Sequence, residues 1–425
     1  MNKLLSSRLS FKRIEPDPFW DVCNQKEDKI HKIHSYPAKF PSFLTTKSIQ
    51  FAKLNNLKPK IIADVFCGCG TVALEARKEN IDFWGCDINP VATLIAEVKS
   101  NNYKVDVVEH YYKKILFSFN HKKNIAIKYK QANPRLQYWF DEQQYNDLFK
   151  LKESIINITK DDIKYQKLFL CAFSNILKAV SKWLTKSIKP QIDPNKEYKD
   201  VLDTFRCQML FMIKAIRDNT LSSPSKSIIK NVNFLSDTFK CPKVDMVITS
   251  PPYVTSYEYA DLHQLSSLWL GFTSDYRELR KGSIGSVYHL NNWSPSANFT
   301  TCLATEKRIL KGLKAKISYN KTKSVARYLG DMKEVVSKIY SMLNSKGMVV
   351  FVIGNTEYKG VKIDNAKHLY EVMREVGFTK FYVTKRKIQN KFLTPYRDNN
   401  GKFTNNKKSR KIYAEEFILI GEKNG

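Results

Sequence analysis

The feature that most restricts the fold of this chain is the succession of elements between residues 60 and 87. An apolar segment over 60–66 predicts a buried strand, and it runs directly into the turn Cys67-Gly68-Cys69-Gly70-Thr71. A helix is predicted over 72–79, and a second strand over 82–86 leads to Asp87. Strand, glycine turn, helix, strand and acid, in this order, form the unit with which parallel α/β sheets bind the adenosine part of a cofactor.

The parts of this unit have separate chemical reasons. Glycines let the backbone approach a ligand closely, and a carboxylate at the second strand tip accepts hydrogen bonds from ribose hydroxyls. Asp64 and Asp87 are 23 positions apart, which suits a strand–helix–strand unit. The dinucleotide motif lacks its third glycine, because Ala73 stands three positions beyond Gly70, and no Gly-Lys-Ser/Thr phosphate loop occurs. A cofactor without a pyrophosphate fits this shorter turn better, and S-adenosylmethionine is the common one.

A second distinctive stretch is Thr249-Ser250-Pro251-Pro252-Tyr253, which follows an apolar strand predicted over 244–248. Proline has no N–H to give to a sheet, so the pair ends the strand and stiffens the chain beyond it. The result is a rigid hook that carries a hydroxyl, free carbonyls and an aromatic ring. Taken alone, the pattern is more typical of a strand-ending turn. Ligands bind at this edge of open α/β sheets, however, and the glycine turn precedes it.

Residues 101–226 interrupt the alternation of strands and helices. Apolar residues recur at helical spacing over 144–156 and 165–184, with basic residues between them. This predicts a helical insertion on the order of 120 residues, too long for a plain crossover. Its default role is to pack on the sheet, and its basic content makes it a candidate for target recognition.

Further elements of the sheet are predicted on both sides of the insertion. Strands are expected over 227–235, 348–353, 381–385 and 413–420, and helices over 42–54, 91–99, 325–343 and 366–376. Residues 271–325 are polar, Gly/Ser-rich and basic, which predicts a long functional loop or a mobile segment. Residues 385–411 interleave basic and aromatic residues, which suits either a nucleic-acid backbone or a solvated loop.

The N-terminal part divides into two segments. Residues 1–30 show no clear period and are predicted to form an extended arm. The segment that follows, 33–41, has a tyrosine directly before its first proline and a lysine and a phenylalanine between its two prolines. It predicts a stiff loop that presents aromatic faces and one cation.

The charge of the chain points to a polyanionic partner. Lys and Arg number 71 against 41 Asp and Glu, a formal charge of +30. Such an excess favours nucleic acid, although a chain rich in Lys, Asn and Ile also reflects AT-rich coding DNA. The eight cysteines form no CxxC pair, so we expect reduced thiols and no structural metal. No apolar run reaches the length of a membrane span or a signal segment, which predicts a soluble intracellular protein.

At its motifs the chain resembles the amino-methyltransferases of DNA in bacterial restriction–modification systems. The resemblance spans about residues 31–100, 227–270 and 325–420. It is carried by the cofactor turn Asp64-x-Phe66-x-Gly68-x-Gly70-Thr71, the acid motif Asp87-Ile88-Asn89-Pro90, the segment Tyr36-Pro37-Ala38-Lys39-Phe40-Pro41, the hook Ser250-Pro251-Pro252-Tyr253 and the later Gly354-Asn355.

The resemblance implies a Rossmann-like, three-layer α/β/α methyltransferase sheet with a helical insertion. The catalytic domain would comprise 31–100 and 227–425, with 101–226 and 271–325 as candidate DNA-contacting regions. Catalysis falls to Ser250, Pro251, Pro252 and Tyr253, and S-adenosylmethionine binding to Tyr36, Lys39, Phe40, Asp64, Phe66, Gly68, Gly70, Thr71, Asp87, Ile88, Asp237 and Ser250. Contacts to double-stranded DNA are expected from Tyr257, Tyr259, Lys385, Arg386, Lys387 and Arg397.

The implied chemistry is methylation of an exocyclic amine. Ser250 and the carbonyl of Pro251 would accept hydrogen bonds from the amine and raise its electron density, while Tyr253 stacks on a base flipped from the duplex. The amine then attacks the sulfonium methyl in line, without a covalent intermediate. The serine form of the hook is more typical of cytosine-N4 enzymes, whereas Asp or Asn leans toward adenine-N6. A cytosine-C5 enzyme needs a Pro-Cys pair, which this chain lacks.

We therefore consider four functions, in order of preference. The preferred function is cytosine-N4 methylation of DNA. We expect a cognate restriction endonuclease as partner and a bacterial cytoplasmic location associated with the nucleoid. Adenine-N6 methylation by the same fold follows. An RNA amino-methyltransferase and a non-catalytic nucleic-acid-binding module are more distant alternatives.

Overall fold

The computed structural model describes residues 4, 11, 13–21, 27–121, 129–219, 224–236, 240–254, 258–286, 303–315, 319–388, 396–397, 404–406, 408, 410–411 and 415–425.

The described part of the chain contains one large sheet and two short strand pairs. In chain order the strands are β1 (Ile61–Asp64), β2 (Asp82–Asp87), β3 (Ser227–Asn231), β4 (Val244–Thr249), β5 (Leu343–Ile353), β6 (Thr356–Tyr358), β7 (Val361–Ile363), β8 (Phe378–Lys387), β9 (Tyr396–Arg397), β10 (Arg410–Lys411) and β11 (Glu415–Lys423). The large sheet has the order β3-β2-β1-β4-β5-β11-β8. Strands β1 to β5 pair in parallel, and β11 runs antiparallel to both of its neighbours.

The strand order reverses between β1 and β4. The chain builds outward from β1 through β2 to β3 and then returns to place β4 beside β1. In an open parallel sheet, such a reversal opens a crevice at the carboxyl ends of the two strands, where ligands bind. The tips of β1 and β4 are Asp64 and Thr249, so the glycine turn and the hook begin at the same crevice.

Helices cover both faces of the sheet and build the insertion. In chain order they are α1 (Ser42–Leu54), α2 (Thr71–Lys78), α3 (Pro90–Ser100), α4 (Val105–His121), α5 (Pro134–Trp139), α6 (Glu142–Ile158), α7 (Ile163–Ile176), α8 (Val201–Asp218), α9 (Tyr259–Leu262), α10 (Gln264–Trp269), α11 (Ala304–Lys314), α12 (Tyr319–Met342) and α13 (Asn365–Val376).

Alternate residues of the strands feed two separate cores. Val247 of β4 and Phe351 of β5 pack with α11, α12 and α13 on one face. Ile248 and Val350, their immediate neighbours, pack with α1 and α2 on the other face. Because successive side chains of a strand point to opposite faces, both faces of the sheet are apolar and both are covered. The predicted three-layer α/β/α methyltransferase sheet is confirmed.

The insertion is helical, as predicted, and it shares a core with the sheet domain. Its helices α4 to α8 bury residues such as Phe169 and Phe205 together with Ile95 of α3 and Trp269 of α10. Helix α3 follows the acid motif, and α10 follows the hook. The insertion therefore packs on the elements that flank the cofactor turn and the hook, while its role in target recognition stays a prediction.

Several predicted elements were wrong in extent. The strand predicted over 227–235 ends at Asn231 as β3, and the strand predicted over 348–353 begins at Leu343 as β5. Helix α7 ends at Ile176, not at 184, and Trp183 pairs instead with Ile192 in an isolated bridge. The apolar spacing misled because Val180 and Trp183, though not helical, are buried in the same core.

The loop predicted over 271–325 contains all of α11 and the start of α12 within its described residues. In α11, Ile309 and Leu313 are four positions apart and both are fully buried, and Leu310 is half-buried. Three large apolar residues on a strongly charged helix were too weak a pattern to stand out in the sequence.

Within the described residues, the helices are all too short or too polar to cross a bilayer.

Candidate active site

A hydrogen bond joins the tips of the two strands at the crevice. The hydroxyl of Thr249 on β4 donates to Asp64 Oδ1 on β1 over 2.6 Å, and the backbone N–H of Phe66 donates to the same oxygen over 3.1 Å. Asp64 and Thr249 are buried, and burial raises the pKa of Asp64 to about 7. The first residue of the hook, Ser250, is thereby tied to the start of the glycine turn.

The glycine turn has a shape that side chains would prevent. Gly68 and Gly70 have φ of +46° and +74°, in the left-handed region that glycine adopts without strain. A Cβ on Gly70 would lie 2.6 Å from the Cα of Ala96 on α3. Thr71, buried at the first position of α2, completes the turn. The turn therefore needs glycine both for its backbone angles and for its packing on α3.

Asp87 lies opposite this turn at the tip of β2. Its carboxylate accepts hydrogen bonds from the backbone N–H of Gly68 over 2.9 Å and of Asn89 over 2.9 Å. Burial raises the pKa of Asp87 to about 6, and those two hydrogen bonds oppose the rise. Next to it, the carbonyl of Ile88 accepts a hydrogen bond from the side chain of Asn231. The acid is thus held against the glycine turn.

Tyr36 covers the glycine turn from the N-terminal segment. A Cβ on Gly68 would lie 3.5 Å from its hydroxyl. The ring of Tyr36 stacks on Tyr259, with 5.8 Å between centroids, and lies 5.2 Å from the ring of His263. Burial raises the pKa of Tyr36, and the charge of Asp87 adds to the effect. Three elements that are distant in sequence therefore meet at Gly68.

Lys39 and Phe40, predicted to act with Tyr36, have other partners. The Lys39 ammonium pairs with Glu27 over 2.6 Å and donates to the carbonyl of His31 over 3.3 Å. Phe40 packs against the core on the α1 and α2 face, and Phe66 against the core on the opposite face. The ion pair of Lys39 anchors the segment, and Phe40 packs against the same core as Cys67 of the glycine turn.

The hook packs against the residues that follow β5. Pro251 is buried, and the Tyr253 hydroxyl lies near the Ser250 side chain and the Gly354 backbone. A Cβ on Gly354 would lie 3.0 Å from the Tyr253 ring, so the absence of a side chain there makes room for the ring. Burial raises the pKa of Tyr253 well above its usual range. The predicted catalytic residues thus form one cluster at the end of β4.

The residues predicted to contact DNA are dispersed. Arg386 is buried and donates from Nε to Glu416 over 2.6 Å, so it presents no charge at the surface. Lys385 pairs with Glu415 over 3.4 Å, Lys387 is exposed, and the backbone of Arg397 lies in the β9–β10 pair. Two further predicted site residues, Asp237 and Tyr257, lie outside the described residues.

One residue at the site carried no distinctive sequence signal. The side chain of His263 meets the amide of Asn89 over 2.7 Å between Nδ1 and Nδ2, and Asn89 also caps α3. Burial lowers the pKa of His263 to about 3, so its ring is neutral. A lone histidine in an aromatic run is no motif. Only the fold shows that it links the acid motif to the helices after the hook.

Within the described residues, no three side chains that could hold a metal ion lie together.

The chain is similar to known proteins over most of its length. The family model for N6/N4 methyltransferases, described as DNA methylase, matches residues 6–98 and 244–425, more than half of the chain. The Type II methyltransferase M.MvaI of Kocuria varians is 22% identical over 91% of this chain and 90% of its own length. The Type II methyltransferase M.BsoBI of Geobacillus stearothermophilus is 24% identical over 86% of this chain and 82% of its own length. Among solved structures, a SAM-dependent methyltransferase from Methanosarcina mazei covers 86% of this chain and 92% of its own at 9% identity, with a TM-score of 0.31.

Proposed function

Since this chain belongs to the DNA methylase family of N6- and N4-methyltransferases, we propose that it methylates the exocyclic N4 of a cytosine flipped out of duplex DNA. Family membership makes it an S-adenosylmethionine-dependent DNA methyltransferase. The choice of cytosine rests on one observation, the serine at the first position of the hook. Ser250 follows β4 directly at the crevice between β1 and β4.

The described residues fit the cofactor. Gly68 and Gly70 leave the backbone of the turn without side chains, and Asp87 lies half-buried beside them with a carboxylate that can accept hydrogen bonds. When bound, S-adenosylmethionine supplies an electrophilic methyl group on a sulfonium. Asp87 would accept hydrogen bonds from the ribose, and the backbone of the glycine turn would lie against the ligand. Tyr36 would cover the ligand.

The hook would then prepare the amine. The lone pair of an exocyclic amine is delocalised into the base, so the nitrogen is a weak nucleophile. Ser250 and the Pro251 carbonyl would accept its N–H hydrogen bonds and concentrate electron density on it. The Tyr253 phenol and the Ser250 side chain lie close together, which places a hydrogen-bond acceptor and an aromatic ring at the same end of β4. Stacking of the base on the Tyr253 ring would fix the line of attack.

A restriction–modification setting is part of the proposal. The two relatives named above are Type II methyltransferases and match this chain over most of their length. A cognate endonuclease would cut the same sequence that this chain methylates. DNA from cells that express the chain should therefore resist such a nuclease, and DNA from cells that express the Tyr253→Ala variant should remain sensitive.

Single-molecule sequencing of DNA from expressing cells tests the proposal, because it reports the base, its position and the target together. We expect N4-methylcytosine at one recurring sequence and none with Tyr253→Ala. N6-methyladenine as the sole modified base would contradict the choice of cytosine. Methylation confined to RNA would contradict the choice of DNA.

A further inference from the structure

A groove with a volume of about 470 Å³ opens between the insertion and the segment that follows the hook. Residues 133–138 of the insertion form one wall, and residues 274–277 with Leu268 form the other. The two walls are joined, since the Asn133 side chain donates to the carbonyl of Ser274 over 2.8 Å. The groove therefore has a fixed width, set by contacts between the two regions that the sequence marks for target recognition.

Arg135 is a charged residue of this groove whose guanidinium is held by a buried amide and by aromatic rings. Its Nε donates to Oε1 of Gln264 over 2.6 Å, and Gln264 is fully buried. The same oxygen accepts a hydrogen bond from the Trp139 indole over 2.9 Å. The guanidinium lies 4.7 Å from the Tyr138 ring and 5.6 Å from the Tyr276 ring. A buried amide and aromatic faces thus hold the plane of the guanidinium.

The charge of Arg135 is not neutralised within the groove. Arg277, the other arginine of the lining, binds both oxygens of Asp275 from Nε over 3.0 Å and 3.0 Å. Asp275 is the acid of the lining, and Arg277 occupies it. The two Nη groups of Arg135 form no hydrogen bond to any described residue. The groove therefore presents one planar cation whose orientation is fixed and whose donors remain available.

The groove is close to the active site along a short chain of contacts. The 3-10 helix Tyr276–Arg280 is tied to α9 by Arg280, which donates from Nε to Asp261 over 3.2 Å. Tyr259, two positions before Asp261, stacks on Tyr36 above the glycine turn. A duplex whose flipped base enters the hook would therefore pass near the groove.

We propose that Arg135 recognises a guanine of the target sequence by donating from its two Nη groups to the guanine edge. The inference rests on the proposed function, since it requires DNA at the hook. A planar fork of donors matches the O6 and N7 acceptors of guanine in the major groove. A phosphate contact needs charge but no fixed plane, whereas here Gln264 and the rings fix the plane. The family model leaves residues 99–243 unmatched, so Arg135 lies in a part of the chain that can differ between enzymes with different targets.

The test is to compare target sequences by single-molecule sequencing of DNA from cells that express wild type, Arg135→Ala or Arg135→Lys. Lysine keeps the charge but loses the fork. We expect both variants to lose preference for guanine at one position of the target, by roughly ten- to a hundredfold. Arg217→Ala is the matched control. Arg217 belongs to the same insertion and pairs with Glu109 at the surface, and the target should be unchanged.

Calorimetry with S-adenosylmethionine on the same purified proteins reports whether each variant folds. If Arg135→Ala fails to bind the cofactor, the target sequence of Arg135→Lys decides whether Arg135 recognises guanine. An unchanged target in Arg135→Lys, or a uniform loss over all sequences with weaker salt dependence of DNA binding, would overturn guanine recognition. If the wild-type protein leaves no methylated base in DNA, the proposed function itself fails. If the wild-type protein methylates DNA and both variants methylate the same target sequence, only the recognition of guanine by Arg135 fails.

Discussion

At the scale of single residues, the proposed function assigns cofactor binding to Asp87 and methyl transfer to Tyr253. Asp87 is hydrogen-bonded to the glycine turn, whereas the ring of Tyr253 lies against Gly354. We predict that Asp87→Ala weakens S-adenosylmethionine binding in calorimetry at least tenfold, because the ribose loses its acceptor. Tyr253→Ala should bind the cofactor like wild type and transfer no methyl groups. Equal loss of cofactor affinity in both variants would contradict this division.

The buried carboxyl of Asp64 makes stability depend on pH. Burial raises its pKa from 3.8 to about 7, so the folded protein retains a proton that the unfolded chain has lost. The free energy of unfolding should therefore fall as pH rises from about 4 to about 7, by up to about 4 kcal/mol from this group.

Asp64→Asn tests this dependence, because asparagine keeps an oxygen that can accept from Thr249 and carries no charge. Urea unfolding of the variant should show a flatter pH profile and higher stability than wild type at pH 8. Asp203→Asn, at a carboxylate that is 69% exposed, should leave the profile unchanged. Equal slopes for wild type and Asp64→Asn would show that the buried carboxyl does not control the profile.

At the scale of elements, substitutions at two glycines distinguish the cost of backbone strain from the cost of a steric clash. Gly70 and Gly271 have nearly the same φ, +74° and +73°, but a Cβ on Gly271 would meet nothing within 4 Å. Gly271→Ala should therefore cost only the left-handed strain, about 1 kcal/mol in urea unfolding. Gly70→Ala adds the conflict with α3, so it should cost clearly more and also weaken cofactor binding. Equal costs would mean that α3 moves away freely.

The pairing of β8 with β11 contains a buried ion pair and an exposed one. Removing the carboxylate in Glu416→Ala leaves Arg386 charged and buried, which should cost about 3–5 kcal/mol in urea unfolding. The double variant Arg386→Met, Glu416→Leu should recover most of that loss. Lys380→Met breaks the pair with Glu422 on the same two strands, where Lys380 is 52% exposed, and should cost under about 1 kcal/mol. A small effect of Glu416→Ala would show that water reaches Arg386.

These elements also show what the sequence could and could not predict. The strand, glycine turn, helix and acid were predictable because backbone geometry restricts glycine and because apolar runs mark buried strands. The bond between Thr249 and Asp64 spans 185 positions, and no local pattern encodes it. Arg386 lies in a basic segment that resembles a DNA-contacting loop, but its side chain is buried against Glu416. Only the pairing of β8 with β11 brings Glu416 beside it.

At the scale of the whole molecule, we propose that the insertion and the sheet domain act on different parts of one DNA substrate. The sheet domain holds the glycine turn and the hook at the crevice between β1 and β4. The insertion packs on α3 and α10 and forms one wall of the groove that contains Arg135. Neither could be placed relative to the other from sequence, because the helical pattern of 101–226 does not show which surface it covers.

We propose that the serine hook directs the methyl group to the amine of cytosine. This is tested by incubating the purified chain with duplex DNA and S-adenosylmethionine that carries a deuterated methyl group, and then digesting the DNA to nucleosides for mass spectrometry. We expect the label in N4-methylcytosine, with none for Tyr253→Ala. Label only in N6-methyladenine, or none in DNA despite bound cofactor, would contradict it.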